Sequence, residues 1–327
     1  MIVTPLAAAV LALTAPAKSK SAEAAGPTKT ASVNPADTSK GTPSAGASVS
    51  PSEASGIVEA FRLEQERIKS GEKTVEVGSM EAVLDILKHD DMNQFDDAIQ
   101  YLKTQTTADA NVLRAQIELA WGDAQNILAE LLERTNKDLV AAKNELDVKG
   151  AAQSPSEKQR YEELVASTKD IGQVVAALRA LAASHLGEGG RLASEIIKSA
   201  PKNYQGYRVA ADFYRLEGEW KKFDEMKKKI EATNAKSNGL VFLKGMEQLD
   251  RYKKPELAAN FFREALKRDA QFTRAQAMLV LLPQSEPDTY KEYKALETLS
   301  PYHTIVVWVG PRIERSHNEA LFSQQKK

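Results

Sequence analysis

From Met80 onward the apolar residues recur at spacings of three and four, segment after segment, a period that belongs to α-helices packed on one face. Met80, Val83, Leu84 and Leu87 are the plainest case, and ahead of them Ile57, Val58, Phe61 and Ile68 outline a shorter amphipathic helix. Alternation of the kind a half-buried strand needs is confined to residues 74–77 and 304–309. The expected fold class is all-α.

Composition narrows the function classes. The chain has 327 residues with 42% apolar content, enough for a real core. Lys and Arg number 44 against 45 Asp and Glu, a net charge of -1, so no global field draws nucleic acid or an anionic membrane and no nucleic-acid role is expected. Cysteine is absent, which removes disulfides, thiolate metal sites and thiol nucleophiles. Aromatics make up only 6%, as suits helices that approach closely through small residues.

Residues 6–13 read LAAAVLAL, an apolar run of signal-peptide length and short of the roughly 20 residues that span a bilayer. Ala15-Pro16-Ala17 and Ala22-Glu23-Ala24 supply small-x-small cleavage patterns. The expectation is a signal peptide over 1–17, with cleavage as late as 24, and export to the periplasm or exterior. An Ala-rich disordered tail on a cytoplasmic protein is the other reading, because no Lys or Arg precedes the run. Residues 18–55 are dominated by Ala, Ser, Thr, Pro, Gly and Lys and read as a disordered linker that cannot bury enough apolar surface to order itself. No transmembrane anchor is expected.

Internal landmarks organise the rest. Phe95-Asp96-Asp97-Ala98-Ile99-Gln100-Tyr101-Leu102 places a small residue, Ala98, four positions before Leu102. Tyr207, Ala210, Ala211 and Tyr214 give a large, small, small, aromatic set, with Gly218 after them. Ala258, Phe262 and Ala265 repeat the second-helix spacing, and Pro201 and Pro301 follow helical runs that they would end. These features resemble the tetratricopeptide repeat, in degenerate units over residues 80–309, using its period of about 34 residues. The resemblance implies antiparallel helical hairpins stacked in a superhelical array, in a protein of bacterial, exported type. It also places an inter-helix turn at Gly122-Asp123. The N-terminal repeats are assigned to 56–150 and the C-terminal repeats, with a closing helix, to 151–327.

One part departs from that pattern. Apolar residues at 128, 132, 139, 142 and 146 suggest one extended helix ending at Gly150. Ser154-Pro155-Ser156-Glu157 is a capping box with proline at the first helical position, opening a partner helix that runs to a turn at Gly187-Glu188-Gly189-Gly190. The last apolar run, after Pro301, is expected to be a helix capped by Ser300, with Tyr302, Ile305, Val306 and Val309 on one face, despite its β-branched residues.

Chemistry is sparse. His89, His185, His303 and His317 are scattered without ligand spacing and read as exposed or cap-proximal, so no metal or cofactor is expected. Asp90-Asp91 and Asp96-Asp97 read as charges favouring helix starts. The lysines at 221, 222, 227, 228 and 229 read as a solvated face. No catalytic residue is assigned. In a tetratricopeptide array the first helices line a concave surface, which makes Lys202, Gln205, Arg208, Asp212 and Arg215 the candidate partner-binding residues. Arg208 and Asp212 stand where carboxylate-clamping members of the family resemble Lys-x3-Asn, which speaks against that clamp. The resemblance therefore implies a non-catalytic scaffold or assembly adaptor of the cell envelope that binds proteins or peptides. A peptide-binding chaperone and an all-α enzyme with an acid-base pair are the alternatives.

Overall fold

The computed structural model describes residues 51–325, so the signal-like run, its cleavage patterns and linker residues 18–50 lie outside the described residues. Twelve α-helices and no strand occur among the described residues. They are α1 (Pro51–Ser70), α2 (Met80–His89), α3 (Phe95–Lys103), α4 (Ala108–Lys149), α5 (Pro155–Ser199), α6 (Tyr204–Leu216), α7 (Trp220–Asn234), α8 (Asn238–Asp250), α9 (Pro255–Arg268), α10 (Thr273–Leu281), α11 (Glu286–Leu299) and α12 (Thr304–Gln325). Helix α1 begins within the stretch read as linker.

Short connections pair consecutive helices into hairpins: α2 with α3, α4 with α5, α6 with α7, α8 with α9, and α10 with α11. The apolar residues do not pool in one core. One cluster joins Val83 and Ile86 of α2 to Phe95, Ile99 and Leu102 of α3 and Ile117 and Trp121 of α4. Another joins Val112 and Leu119 of α4 to Leu192 and Ile196 of α5 and Val209 of α6. The next joins Ala211 of α6 to Phe223 and Ile230 of α7 and Leu240 and Leu243 of α8. Phe242 and Met246 of α8, Phe262 of α9 and Leu279 of α10 form a further one, and Val280, Leu296, Ile305 and Val306 close the chain of clusters through α10, α11 and α12. Each cluster belongs to neighbouring helices.

Local signals explain the boundaries. The Ser154 capping box is formed, with Ser154 and Glu157 bonding each other's backbone N–H. Gly218 adopts φ +71 in the turn between α6 and α7, a left-handed conformation that glycine reaches without strain. Helices end at Ser199 and Leu299, just before the Pro201 and Pro301 turns.

Two expected turns are absent. Gly122 lies inside the 42-residue α4 and Gly189 and Gly190 lie inside the 45-residue α5. Their missing side chains serve close approach instead. A Cβ on Gly122 would come within 2.8 Å of Leu186, and one on Gly189 within 2.6 Å of Leu119, so these two helices pack where each offers a glycine to the other's leucine. At 1.5 Å per residue the pair runs for about 60 Å. Its outer half joins α1 in a separate cluster of Val58, Leu128, Leu132, Leu139, Ile171 and Leu178. The boundary between 150 and 151 falls at the tip of this hairpin.

The closing run is helical, but it starts later than expected. Pro301 and Tyr302 are turn residues, Tyr302 is 58% exposed, and α12 opens at Thr304. His303 takes the cap: its Nδ1 accepts the Ile305 N–H at 3.1 Å. Ser300 is fully buried and its hydroxyl meets His89 Nδ1 at 2.7 Å, which withdraws it from capping. Residues 74–77 form no strand. They are pinned as a loop by Asp97, whose Oδ2 accepts the N–H of Thr74 at 2.9 Å and of Val75 at 3.1 Å.

Candidate functional site

The first helix of each hairpin contributes to a polar seam centred on Arg215 of α6. A long side chain in the last turn of α6 reaches both neighbouring first helices. Arg215 meets Asp212 one turn back at 2.9 Å, Asp250 at the end of α8 at 2.6 Å and Asp123 of α4 at 3.6 Å. Its side chain is 4% accessible. Burial opposes its charge, yet Asp212, Asp250 and Asp123 outweigh burial and hold the guanidinium firmly protonated.

Arg274 of α10 crosses the seam to Asp212 at 3.5 Å and lies over the Phe242 ring at 5.2 Å. Asp212 thus serves two arginines: burial alone would raise its carboxyl, but Arg215 and Arg274 pull it below the ordinary carboxylate range. Asp123 has one arginine close by and two carboxylates for neighbours. Burial, with Asp212 and Asp250 adding to it, pushes it up to about 6 against the pull of Arg215. Asp90, the left-handed C-cap of α2, is likewise pushed up to about 6 by burial, with Arg274 opposing. Both keep accessible surface, 29% of the Asp123 side chain and 19% of Asp90.

Arg208 stands one turn before Asp212 on the same face of α6. Its Nε donates to Gln205 Oε1 at 2.8 Å, and it forms no ion pair with a carboxylate among the described residues. Burial first, then the charge of Arg274, lowers its pKa. At the far end of the seam His303 is pushed down to about 3, by burial and then by Arg274 and His89, so its ring is neutral.

The five candidate residues therefore divide. Asp212 and Arg215 are buried and mutually paired; Gln205 and Arg208 are half-buried and bonded to each other; Lys202 is exposed in the turn before α6. Sequence spacing brought out the α6 members. It missed Asp90, Asp123, Asp250, Arg274 and His303, which only the folding of distant segments assembles.

All four histidines have polar partners and none is exposed; His89 and His303 are cap-proximal, as the sequence reading allowed, while His185 and His317 are neither exposed nor caps. His185 meets Glu118 at 2.7 Å and stacks on Trp121 at 4.1 Å, His317 meets Glu286 at 2.6 Å, His89 meets the Ser300 hydroxyl at 2.7 Å, and His303 accepts the Ile305 N–H at 3.1 Å. No group of His, Asp or Glu suited to hold a metal ion occurs among the described residues. Nor is any helix among them long and apolar enough to cross a membrane. Comparison with family models, curated proteins and solved structures finds no match.

Proposed function

We propose that this chain is a non-catalytic protein-interaction scaffold or assembly adaptor of the cell envelope, built like a tetratricopeptide array and receiving its partner on the face formed by the first helices. The succession of hairpins, each buried against its sequence neighbours, supports the architectural part of that reading. One observation carries the functional part: Arg208 presents a guanidinium on the seam with no carboxylate of its own, beside Arg274, whose side chain is 24% accessible. A half-buried guanidinium bonded only to an amide oxygen among the described residues leaves its charge unneutralised, and a carboxylate from an acidic partner segment would pair with it.

Export of the chain belongs to the same proposal, since the apolar run and linker would place the array at or beyond the membrane. The reading of the chain as an all-α enzyme has its own observation, two carboxyls titrating near 6, a value fit for proton transfer. Burial accounts for both values without a reaction.

A photo-crosslinking residue at position 202, exposed in the turn before α6 and leaving Arg208 in place, tests the proposal in cells. Discrete crosslinked protein bands, lost when Arg274→Glu is added, are the expected result. An empty lane together with turnover of a small molecule by the purified chain would sink the scaffold reading in favour of the enzyme.

A further inference from the structure

Among the described residues, several polar contacts tie the first hairpin to the last helices. Thr273, the first residue of α10, donates its hydroxyl to the backbone carbonyl of Lys88, one of the carbonyls that the end of α2 leaves without an intrahelical partner. His89 Nδ1 meets the Ser300 hydroxyl at 2.7 Å, and His303 Nε2 faces Asp90 Oδ2 at 4.0 Å. The C-terminus of α2 is thereby set against the N-terminus of α10, an arrangement the helix dipoles favour.

No apolar cluster of the described residues crosses this junction. The cluster of α2 and α3 contains no residue beyond Ala124, and those of α9 to α12 contain none before Val241. Elsewhere in the chain consecutive hairpins are bound by buried Phe, Leu and Ile. Polar contacts at a junction exchange with bonds to water when it parts, so they resist opening far less than apolar burial does. The closed form also carries a defect. Since His303 Nδ1 accepts the Ile305 N–H, the proton of its neutral ring sits on Nε2, which is buried and has no hydrogen-bond partner among the described residues.

We propose that this junction is a latch: the α2–α3 hairpin separates from α10–α12 while both ends stay folded, and the separation opens the charged seam at Asp90, Arg274 and Asp212. That the opening admits a partner rests on the scaffold reading. The opening itself needs no partner, so the two claims fail separately.

The absence of cysteine makes the test clean. Spin labels at Leu84→Cys on α2 and Tyr302→Cys before α12, both exposed in the closed form, report the distance across the junction. The expected result is a short and a long distance in coexistence, with the long population rising roughly tenfold when His89→Ala and Thr273→Val remove two of the contacts. The far-UV signal should be retained, because each side has its own core. Hydrogen exchange on the unaltered chain supplies a second reading: amides at 88–90 and 303–305 should exchange together, ahead of α4 and α6. A single short distance unmoved by the substitutions, or protection at 88–90 and 303–305 equal to that of α6, would overturn the latch.

Discussion

Arg215 shows how one residue can organise several helices. Its three carboxylate partners come from α4, α6 and α8, and it is shielded from water while two of them are not. Such a group is poor evidence of stability gained, since an apolar replacement of similar shape can do as well, but removing the cation alone strands Asp123 and Asp250 and leaves Asp212 with Arg274 only. Arg215→Ala should therefore cost about 3–5 kcal/mol in urea unfolding. A cost below 1 kcal/mol would mean that the seam is hydrated and loose.

Asp123 makes the complementary case. The folded chain holds its proton more tightly than the unfolded chain does, because burial raises the carboxyl from 3.8 to about 6. Its stabilising contribution is full below the unfolded value and is lost as the pH rises through 6. Asp123→Asn cannot ionise, so the variant should gain on the parent by roughly 1–2 kcal/mol between pH 4 and pH 6. Denaturant titrations of both proteins at the two pH values check this; a difference that stays flat would show that Asp123 is as well solvated as an ordinary surface aspartate.

At the scale of elements, much was legible because capping and helical period are local. The Ser154 capping box, the Gly218 turn, the terminations before Pro201 and Pro301 and the small Ala98, Ala211 and Ala258 sites all rest on residues within a few positions of one another, and all three alanines are fully buried. Glycine was misread where its role is tertiary. A glycine that ends a helix and one that lets a neighbouring helix approach look alike in one dimension, and Gly122 and Gly189 proved to be the second kind.

That distinction predicts opposite signs within one helix. Gly187 has open space around it, so Gly187→Ala should stabilise α5 by up to about 1 kcal/mol through helix propensity. Gly189→Ala must displace Leu119, with the Ala115 carbonyl 3.3 Å away, and should cost about 1–3 kcal/mol instead. Thermal midpoints that move the same way for both would remove the close-approach account of the long hairpin.

At the scale of the molecule, sequence gave little warning of the junction between its ends. His89 and Ser300 are 211 positions apart, and neither carries a local pattern that points to the other. The closing helix was legible, since Ile305, Val306 and Val309 keep a helical stripe in spite of their β-branching, but its cap was not, because the fold diverts Ser300 to His89. The value of α12 to the array can be argued from what it covers. Ile305 and Val306 complete a cluster with Ala277 and Val280 of α10 and Tyr293 and Leu296 of α11, all buried, so α12 covers an apolar face that would otherwise meet water. A chain ending at Leu299 would leave that face in water while also losing the Ser300 and His303 side of the junction. Because each cluster is local, the damage should stay local: hydrogen exchange should speed up over 273–299 while α4, α5 and α6 keep their protection, and dye binding and self-association should both increase. Uniform loss of protection along the chain would show that the clusters act as one cooperative core, and unchanged exchange over 273–299 would show that α12 covers nothing the array needs.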